Sequence, residues 1–288
     1  MRNFALGKSP YQSSTYWDAS YAVDGNTNGR NPETFNTCSA TKPSAQSSYH
    51  TWEVNIGFPI IVKNITVYGR TDQADDQLSN FELYLRNHSG SNQSLRVKPS
   101  GYNVYIINPA NRVAQFVSLT RYNNILTLCE VIVEGECPDG LYSEKCNQPC
   151  GKCYDPWPCD KETGECFKGC ERGWKGERCD EECNIGTYGY GCNETCGNCL
   201  NGNRSCSKTD GHCLYGCEPG WQDKTCKQEC NIGTYGHGCN ETCGNCLNGN
   251  LSCSKSDGQC RDGCQVGWTD KTCKLGNVIL HLRTYRRL

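Results

Sequence analysis

The chain has 288 residues, a formal net charge of −2 and 26 cysteines. Its length allows two or more domains, and the nearly balanced charge argues against nucleic-acid binding, which normally requires a basic face. All cysteines except Cys38 and Cys129 lie within residues 137–273. This crowding indicates a disulfide scaffold made in an oxidising compartment, because a reducing compartment would keep the thiols reduced.

Residues 3–135 contain short apolar or alternating runs bounded by Gly, Pro, Asn or Asp, without a convincing helical period. The runs are TWEVNIGF, IIVKNITVYG, NFELYLRN, YNVYIINP, AQFVSLTR and LTLCEVIVEG. Each fits a short β-strand, and the strands are regularly spaced. About 130 residues of this kind predict a β-sandwich with one apolar core between two sheets.

Glu130 stands inside the apolar run LTLCEVIVEG. A carboxylate among strand residues costs several kcal/mol unless an arginine or a cation compensates its charge. The stretch AVDGNTNG provides Asp24 and Asn26 in a glycine-containing loop, and such oxygen ligands suit a hard cation such as calcium. The alternative is that Asp24-Gly-Asn26 is simply a turn.

The stretches NFALGKSPYQSSTYWDASYAVDGNTNG, WEVNIG, VYGRTD…LSNFEL and LTLCEVIVEG resemble an F-type lectin (fucolectin) domain over about residues 3–135. The resemblance implies a jelly-roll β-sandwich with one structural calcium ion. It also implies a Cys38–Cys129 disulfide, which closes a loop of about 90 residues and is valued near 4 kcal/mol by chain-entropy estimates. The implied calcium ligands are the backbone of Tyr21, the side chains of Asp24 and Asn26, Thr37, the Cys129 carbonyl and Glu130.

The same resemblance implies a sugar site. The fucose-binding signature has a histidine just after the first conserved cysteine, an arginine in R-x-D and a second basic residue one turn later. This chain has Ala40 at the histidine position, keeps Arg70 and Asp72, and has Gln77 at the second basic position. Arginine can donate two parallel hydrogen bonds to hydroxyls, and glutamine donates a weaker one. We therefore expect altered or lost fucose binding, the alternative being an Arg70–Asp72 pair that only orders a loop.

The chain is periodic after Cys137. Residues 183–226 and 230–273 have every cysteine at an offset of 47 positions, and residues 137–179 form a more divergent third copy. Each repeat is too small and polar to bury a core, so cross-links are expected to replace it. Zinc bound by pairs such as Cys196-Gly-Asn-Cys199 and Cys243-Gly-Asn-Cys246 is the alternative, but zinc sites seldom leave so many cysteines over.

The pattern C-x2-G-x-Y-G-x2-C-x3-C-x2-C with a final G-W-x4-C resembles the EGF-like repeats of scavenger receptor class F and multiple-EGF-domain receptors. The resemblance implies laminin-type pairing: first cysteine with third, second with fourth, fifth with sixth and seventh with eighth. Spacing alone does not prove a connectivity. The implied pairs are Cys137–Cys150, Cys146–Cys153, Cys159–Cys166 and Cys170–Cys179; Cys183–Cys196, Cys192–Cys199, Cys206–Cys213 and Cys217–Cys226; and Cys230–Cys243, Cys239–Cys246, Cys253–Cys260 and Cys264–Cys273.

Seven Asn-x-Ser/Thr sequons favour passage through the secretory pathway. The start MRNFALGKSP lacks a signal-peptide core, and no run reaches the roughly 18 apolar residues of a membrane helix, so we interpret the chain as truncated or as an incomplete gene model. Residues 274–288 are expected to be disordered, the alternative being that their basic end flanks a lost membrane segment. The sequons are at Asn64, Asn87, Asn92, Asn193, Asn203, Asn240 and Asn250.

These features predict an extracellular, calcium-binding, lectin-like protein that presents its sandwich on an EGF-like stalk, in innate recognition or cell adhesion. Its expected partners are fucosylated or other glycans. The alternative is a scavenger-receptor-like ectodomain with a degenerate sugar site, whose repeats bind extracellular proteins. We do not expect an enzyme, because the five histidines are scattered and form no evident nucleophile–base pair.

Overall fold

The computed structural model describes residues 2–30, 32–43, 48–72, 77–87, 103–154, 158–202, 206–249 and 253–276, and the backbone of 92–96. The chain divides into two compact units. The first contains Met1–Cys150 and Cys159–Gly164, and the second contains Gly151–Pro158 and Glu165–Leu288. Among the described residues, no helix is long and apolar enough to cross a membrane.

The first unit contains a ten-stranded β-sandwich. It also has a 3-10 turn at Ala19–Ala22 and one short helix, α1 (Pro32–Phe35). The strands are β1 (Arg2–Asn3), β2 (Tyr11–Gln12), β3 (Ser39–Ala40), β4 (Tyr49–Tyr68), β5 (Glu82–Arg86), β6 (Asn92–Arg96), β7 (Val104–Ile107), β8 (Arg112–Tyr122), β9 (Thr127–Leu128) and β10 (Glu130–Glu136).

The long strand β4 belongs to both layers of the sandwich. Its first part pairs with β2 and β8, and β8 continues the sheet to β5 and β6. The register shifts between Asn55 and Ile60, which bends the strand. Residues 61–68 then pair with β10, and residues 65–68 pair with β7. The predicted all-β sandwich is confirmed.

One apolar core fills the space between the layers. Alternate residues of β4 point inward, and Val54, Ile65 and Val67 are fully buried. Each such side chain contributes roughly 1.5–3 kcal/mol when it leaves water. Trp52 is also buried, and its Nε1 donates a hydrogen bond of 3.1 Å to the carbonyl of Ala19. This bond fixes the 3-10 turn, and hence the loop that follows it, against the core.

All 26 cysteines are paired, and the Cys38–Cys129 disulfide is confirmed. Nine of the other twelve predicted pairs are wrong. Within residues 183–226 the first cysteine bonds the second, the third bonds the fifth, the fourth bonds the sixth and the seventh bonds the eighth. The observed pairs are Cys137–Cys146, Cys150–Cys159, Cys153–Cys166 and Cys170–Cys179; Cys183–Cys192, Cys196–Cys206, Cys199–Cys213 and Cys217–Cys226; and Cys230–Cys239, Cys243–Cys253, Cys246–Cys260 and Cys264–Cys273.

The error lies in where the counting begins. Counted from Cys196, the bonded pairs follow the laminin order, with Cys230–Cys239 as the last pair of the set. A tandem array contains the same cysteine spacing in every frame, so periodicity does not reveal the frame. The structure does, because the chain reverses between Cys183 and Cys192 and brings their Cα atoms to 5.3 Å, within disulfide reach.

Short ladders and disulfides replace a core in the disulfide-rich residues. Leu275–Gly276 are paired, so ordered structure extends past the predicted start of the tail at residue 274; residues 277–288 lie outside the described part. Two further 3-10 turns lie at Tyr190–Cys192 and His237–Cys239. The ladders pair Leu141–Tyr142 with Gln148–Pro149, Trp174–Lys175 with Glu181–Glu182, Thr187–Tyr188 with Glu194–Thr195, Trp221–Gln222 with Gln228–Glu229, Thr234–Tyr235 with Glu241–Thr242, and Trp268–Thr269 with Leu275–Gly276.

A buried tyrosine packs on a glycine in each complete copy. Tyr188 lies where a side chain at Gly211 would be, and Lys227 covers the same ring and donates 2.8 Å to its hydroxyl. Tyr235 and Gly258 repeat this arrangement. The tyrosine therefore acts as a small apolar centre that the disulfides enclose.

We predict that Gly211→Ala destabilises the array more than Gly216→Ala. Both glycines have a positive φ, +73° and +87°, so both changes add backbone strain of roughly 1 kcal/mol. Only a Cβ at Gly211 collides with Tyr188, whereas a Cβ at Gly216 meets nothing within 4 Å. We expect an additional overpacking cost of roughly 1–3 kcal/mol, measured by thermal unfolding of the secreted protein. Equal melting temperatures for the two variants would contradict this packing.

Candidate functional site

Glu130 is a fully buried carboxylate at the first residue of β10. Its Oε2 accepts a hydrogen bond of 3.2 Å from the backbone N–H of Gly25, and its Oε1 has no hydrogen-bond partner in the described part of the chain. Burial raises the pKa of Glu130 to about 7, the Gly25 N–H opposes this rise, and the nearby Asp24 carboxylate adds to it. No arginine or lysine forms an ion pair with Glu130 among the described residues, so the buried carboxylate requires either a proton or a cation.

The loop above Glu130 is built from consecutive side-chain turns. The Asp24 side chain accepts from the backbone N–H of Asn26 at 2.8 Å, Asn26 accepts from Asn28 at 3.0 Å, and Asn28 accepts from Arg30 at 3.1 Å. Gly25 takes a φ of +86°, which glycine adopts without strain. The turn interpretation of Asp24-Gly-Asn26 is therefore correct for the backbone, and the turn brings Asp24 and Gly25 next to Glu130.

The Cys38–Cys129 disulfide joins the segments that contain two further predicted calcium ligands, Thr37 and Cys129. Thr37 is buried, with its hydroxyl 3.7 Å from the sulfur of Cys38, and Cys129 directly precedes Glu130. Tyr21 lies in the 3-10 turn that Trp52 holds. No group of three or more His, Cys, Asp or Glu side chains is arranged for a metal within the described ranges. The predicted set contains only two such side chains, and its other oxygens are carbonyl, amide and hydroxyl groups suited to a hard cation.

Arg70 is held in one orientation by a carboxylate. It is buried to 9% exposure, its Nε donates 2.5 Å to one oxygen of Asp72, and its Nη2 donates 3.1 Å to the other. Glu33 of α1 lies 3.8 Å from Nη2. A guanidinium has five N–H donors, so this two-point pair leaves three that Asp72 does not use. The predicted neighbours Arg70 and Asp72 are brought together.

Trp17 is a member of this site that sequence reasoning missed. The Trp17 ring lies 5.4 Å from the Arg70 guanidinium. The exposed ring of Tyr16 lies 5.3 Å from the Trp17 ring. Backbone hydrogen bonds in both directions join Trp17 to Ala40, the position where the lectin signature has histidine. The structure thus places Trp17 beside the retained arginine, with Tyr16 packed against Trp17. The available signal was the dipeptide Tyr-Trp in an otherwise polar loop, SSTYWDAS.

Gln77 is fixed at the base of the loop. Its side-chain oxygen accepts 2.6 Å from the hydroxyl of Thr127, and its backbone carbonyl accepts from Nη1 of Arg121. Arg121 is buried and also donates 2.9 Å to the carbonyl of Ile125 and 3.0 Å to the hydroxyl of Ser79. The amide oxygen of Gln77 thus serves the fold, and Arg121 is a second residue that sequence reasoning missed.

The sequons fall in different settings. Asn64 lies within β4, opposite Glu134, and Asn87 follows β5. Asn193 and Asn240 are exposed at equivalent positions of the array. The side chain of Asn92, and Asn203 and Asn250, lie outside the described residues.

No protein-family model and no curated protein matches the chain. Several solved structures are similar to part of it. A Streptococcus pneumoniae fucose binding module, SpX-3, is 26% identical over 46% of this chain and 98% of its own, with a TM-score of 0.42. The lectin domain of lectinolysin complexed with Lewis B antigen is 26% identical over 48% and 99%, with a TM-score of 0.42. A serum fucolectin from Morone saxatilis (striped bass) is 26% identical over 47% and 49%, with a TM-score of 0.40.

We predict that Glu130→Gln reduces the pH dependence of the free energy of unfolding when a chelator is present to remove metal ions. A carboxyl with a pKa of about 7 when folded and 4.5 in its ordinary state binds its proton more tightly in the folded protein. The proton on Glu130 therefore adds its full contribution to the free energy of unfolding below about pH 4.5. This contribution is lost as the pH rises to 7. Between pH 5 and 7.5 we expect wild type to lose roughly 2 kcal/mol more than the variant.

The measurement is urea unfolding followed by far-ultraviolet circular dichroism, with disulfides intact. Glu134→Gln is the control, because Glu134 lies on the same strand but is half-exposed. Parallel pH profiles of stability for wild type and Glu130→Gln would show that burial does not raise the pKa of Glu130.

Proposed function

We propose that this chain is a calcium-dependent, extracellular glycan-binding protein whose saccharide site is centred on Arg70. The observation that carries the proposal is the pairing of an oriented guanidinium with an aromatic surface. Asp72 pairs with Arg70 through two hydrogen bonds, the Trp17 ring lies 5.4 Å from the guanidinium, and the Tyr16 ring packs against Trp17. Charged donors bind hydroxyl oxygens strongly, and aromatic rings cover the apolar faces of a sugar.

The calcium part of the proposal rests on the oxygen donors around the partnerless Oε1 of Glu130. Asp24, Asn26, Thr37 and Glu130 would hold the ion together with the carbonyls of Tyr21 and Cys129. Calcium would supply positive charge to two neighbouring carboxylates, and we assign it a structural role. The stretch that carries these ligands begins just after Trp17, with Asp18 capping the 3-10 turn. Calcium would therefore hold the aromatic side of the sugar site in place.

Binding fits the residues better than catalysis does. Ser48 and His50 are 3.4 Å apart, but this exceeds the roughly 2.6–3.2 Å expected of a nucleophile and its base. Burial lowers the pKa of His50, and the nearby Arg121 lowers it further.

Protein capture by the disulfide-rich residues is a second candidate. The observation that favours it is a pair of exposed isoleucines at equivalent positions, Ile185 at 69% and Ile232 at 71% exposure. Ala40 and the bonded Gln77 also weaken the fucose signature. This candidate predicts partner binding that survives the loss of Arg70.

We predict that Arg70→Ala abolishes or strongly weakens glycan binding. Charge-assisted hydrogen bonds contribute roughly 1.5–3 kcal/mol, so affinity should fall roughly 10-fold to 100-fold. Arg86→Ala is the matched control, because Arg86 also pairs with a carboxylate, Glu53 at 2.8 Å, and stacks on an aromatic ring, Phe116 at 4.1 Å. The assay is a glycan array with and without chelator, followed by titration of the best ligand. An array without any signal for folded wild type would overturn the proposal.

We predict that calcium raises the melting temperature of wild type and that Glu130→Gln loses this response. An ion present at 100 times its Kd stabilises the folded state by about 2.7 kcal/mol. Glu134→Gln should respond as wild type does. The check is differential scanning calorimetry in calcium and in chelator; identical wild-type melting curves in both would remove calcium from the proposal.

A further inference from the structure

Two equivalent grooves run along the disulfide-rich array. The first lies between the loops closed by Cys170–Cys179 and Cys183–Cys192, and the second between the loops closed by Cys217–Cys226 and Cys230–Cys239. Their volumes are about 610 and 630 Å³. These volumes fall within the roughly 300–1,000 Å³ of small-molecule sites. Most lining residues of the two grooves correspond at the 47-residue offset, but the tyrosines do not: Tyr190 corresponds to His237, and Tyr215 to Lys168.

An exposed sequon asparagine stands on the wall of each groove. Asn193 lines the first and Asn240 the second, and both belong to the sequence Asn-Glu-Thr. The threonines of both sequons, Thr195 and Thr242, are exposed as well. The acceptor amide and the hydroxyl that the sequon requires are therefore both at the surface.

A glycine leaves room for each asparagine side chain. Gly191 and Gly238 have φ values of +61° and +63°, and a Cβ at either would lie 3.2–3.3 Å from the amide nitrogen of the asparagine two residues later. That approach is tighter than an ordinary van der Waals contact. The missing side chain thus keeps open the space directly around the nitrogen that a glycan would occupy.

Aromatic rings line the grooves close to the asparagines. In the first, Tyr190 is 48% exposed, Arg172 lies 4.6 Å above its ring, and Tyr154 meets it edge-on at 5.8 Å. The second contains Tyr215, which is 67% exposed, and Leu200. Exposed rings in a concave wall provide apolar surface for the face of a sugar ring.

We propose that Asn193 and Asn240 carry N-linked glycans whose innermost sugars lie in these grooves, against Tyr190 and Tyr215. In the secretory pathway a lipid-linked oligosaccharyl pyrophosphate supplies the sugar. A bond forms between sugar C1 and the asparagine Nδ2, the C1–O bond to the pyrophosphate breaks, and the amide proton leaves with the pyrophosphate. Each glycan then touches two disulfide loops and covers apolar surface. This inference goes beyond the proposed glycan binding and does not depend on it.

The test uses the full chain secreted from cultured eukaryotic cells. Glycopeptide mass spectrometry should find both asparagines occupied in wild type. Thr195→Ala and Thr242→Ala remove the sequons without changing the asparagines, and Thr195→Ser and Thr242→Ser are the matched controls that keep them. Disulfide mapping confirms that each variant has the wild-type pairing.

Hydroxyl-radical footprinting then measures the exposure of the rings. After glycosidase trimming to the innermost sugar, oxidation of Tyr190 and Tyr215 should be lower in wild type than in the alanine variants by roughly two-fold or more, since a sugar would cover one face of Tyr215 and the face of Tyr190 that Arg172 leaves open. Tyr122, 51% exposed and in the sandwich, is the internal reference. If the alanine variants misfold, enzymatic deglycosylation of folded wild type replaces them. Unoccupied asparagines, or equal oxidation with and without the innermost sugar, would overturn the proposal.

Discussion

The Cys38–Cys129 disulfide is the constraint on which the candidate site depends. It joins the segment after α1 to the start of β10 across 91 positions of sequence, next to the buried carboxylate of Glu130. The β3–β9 pair continues the same connection, with Ser39 opposite Leu128 and Ala40 opposite Thr127. A loop of this length would cost several kcal/mol to close without the bond. The disulfide and this strand pair therefore bring Ala40, to which Trp17 is hydrogen-bonded, close to the start of β10.

Charge compensation explains the composition of that end. Arg70 is matched by Asp72 and approached by Glu33, so its guanidinium is oriented and nearly neutralised. Glu130 has no such protein partner in the described part of the chain, and its pKa rises accordingly. The charge of Asp72 is thus compensated by Arg70, whereas Glu130 requires a proton or a cation. The proposed binding of a hard cation and of a neutral, hydroxyl-rich ligand would use these two groups.

The disulfide-rich residues are held together by covalent bonds and not by a large apolar core. Covalent bonds define each loop there, and the apolar centres of the described part include a tyrosine on a glycine, as with Tyr188 and Gly211, and clusters of sulfurs, one of which packs against Trp221. The same geometry therefore returns at each offset of 47 residues, including the grooves beside Asn193 and Asn240. Surface that a larger domain would bury remains exposed, which makes it available to glycans or partners.

Local pattern was enough to predict the main strands and the cysteine array and to single out Glu130, because alternation, spacing and a carboxylate in an apolar run are properties of neighbouring residues. The contact of Glu130 with the Asp24 loop is a tertiary one. The resemblance added the Cys38–Cys129 bond. Tertiary structure alone decided the disulfide frame, since a tandem array has the same spacing in every frame and only the chain reversal at Cys183–Cys192 selects one. It likewise placed Trp17 beside Arg70 and Arg121 beneath Gln77, because these residues are distant in sequence and meet only when β3, β8 and their loops pack together.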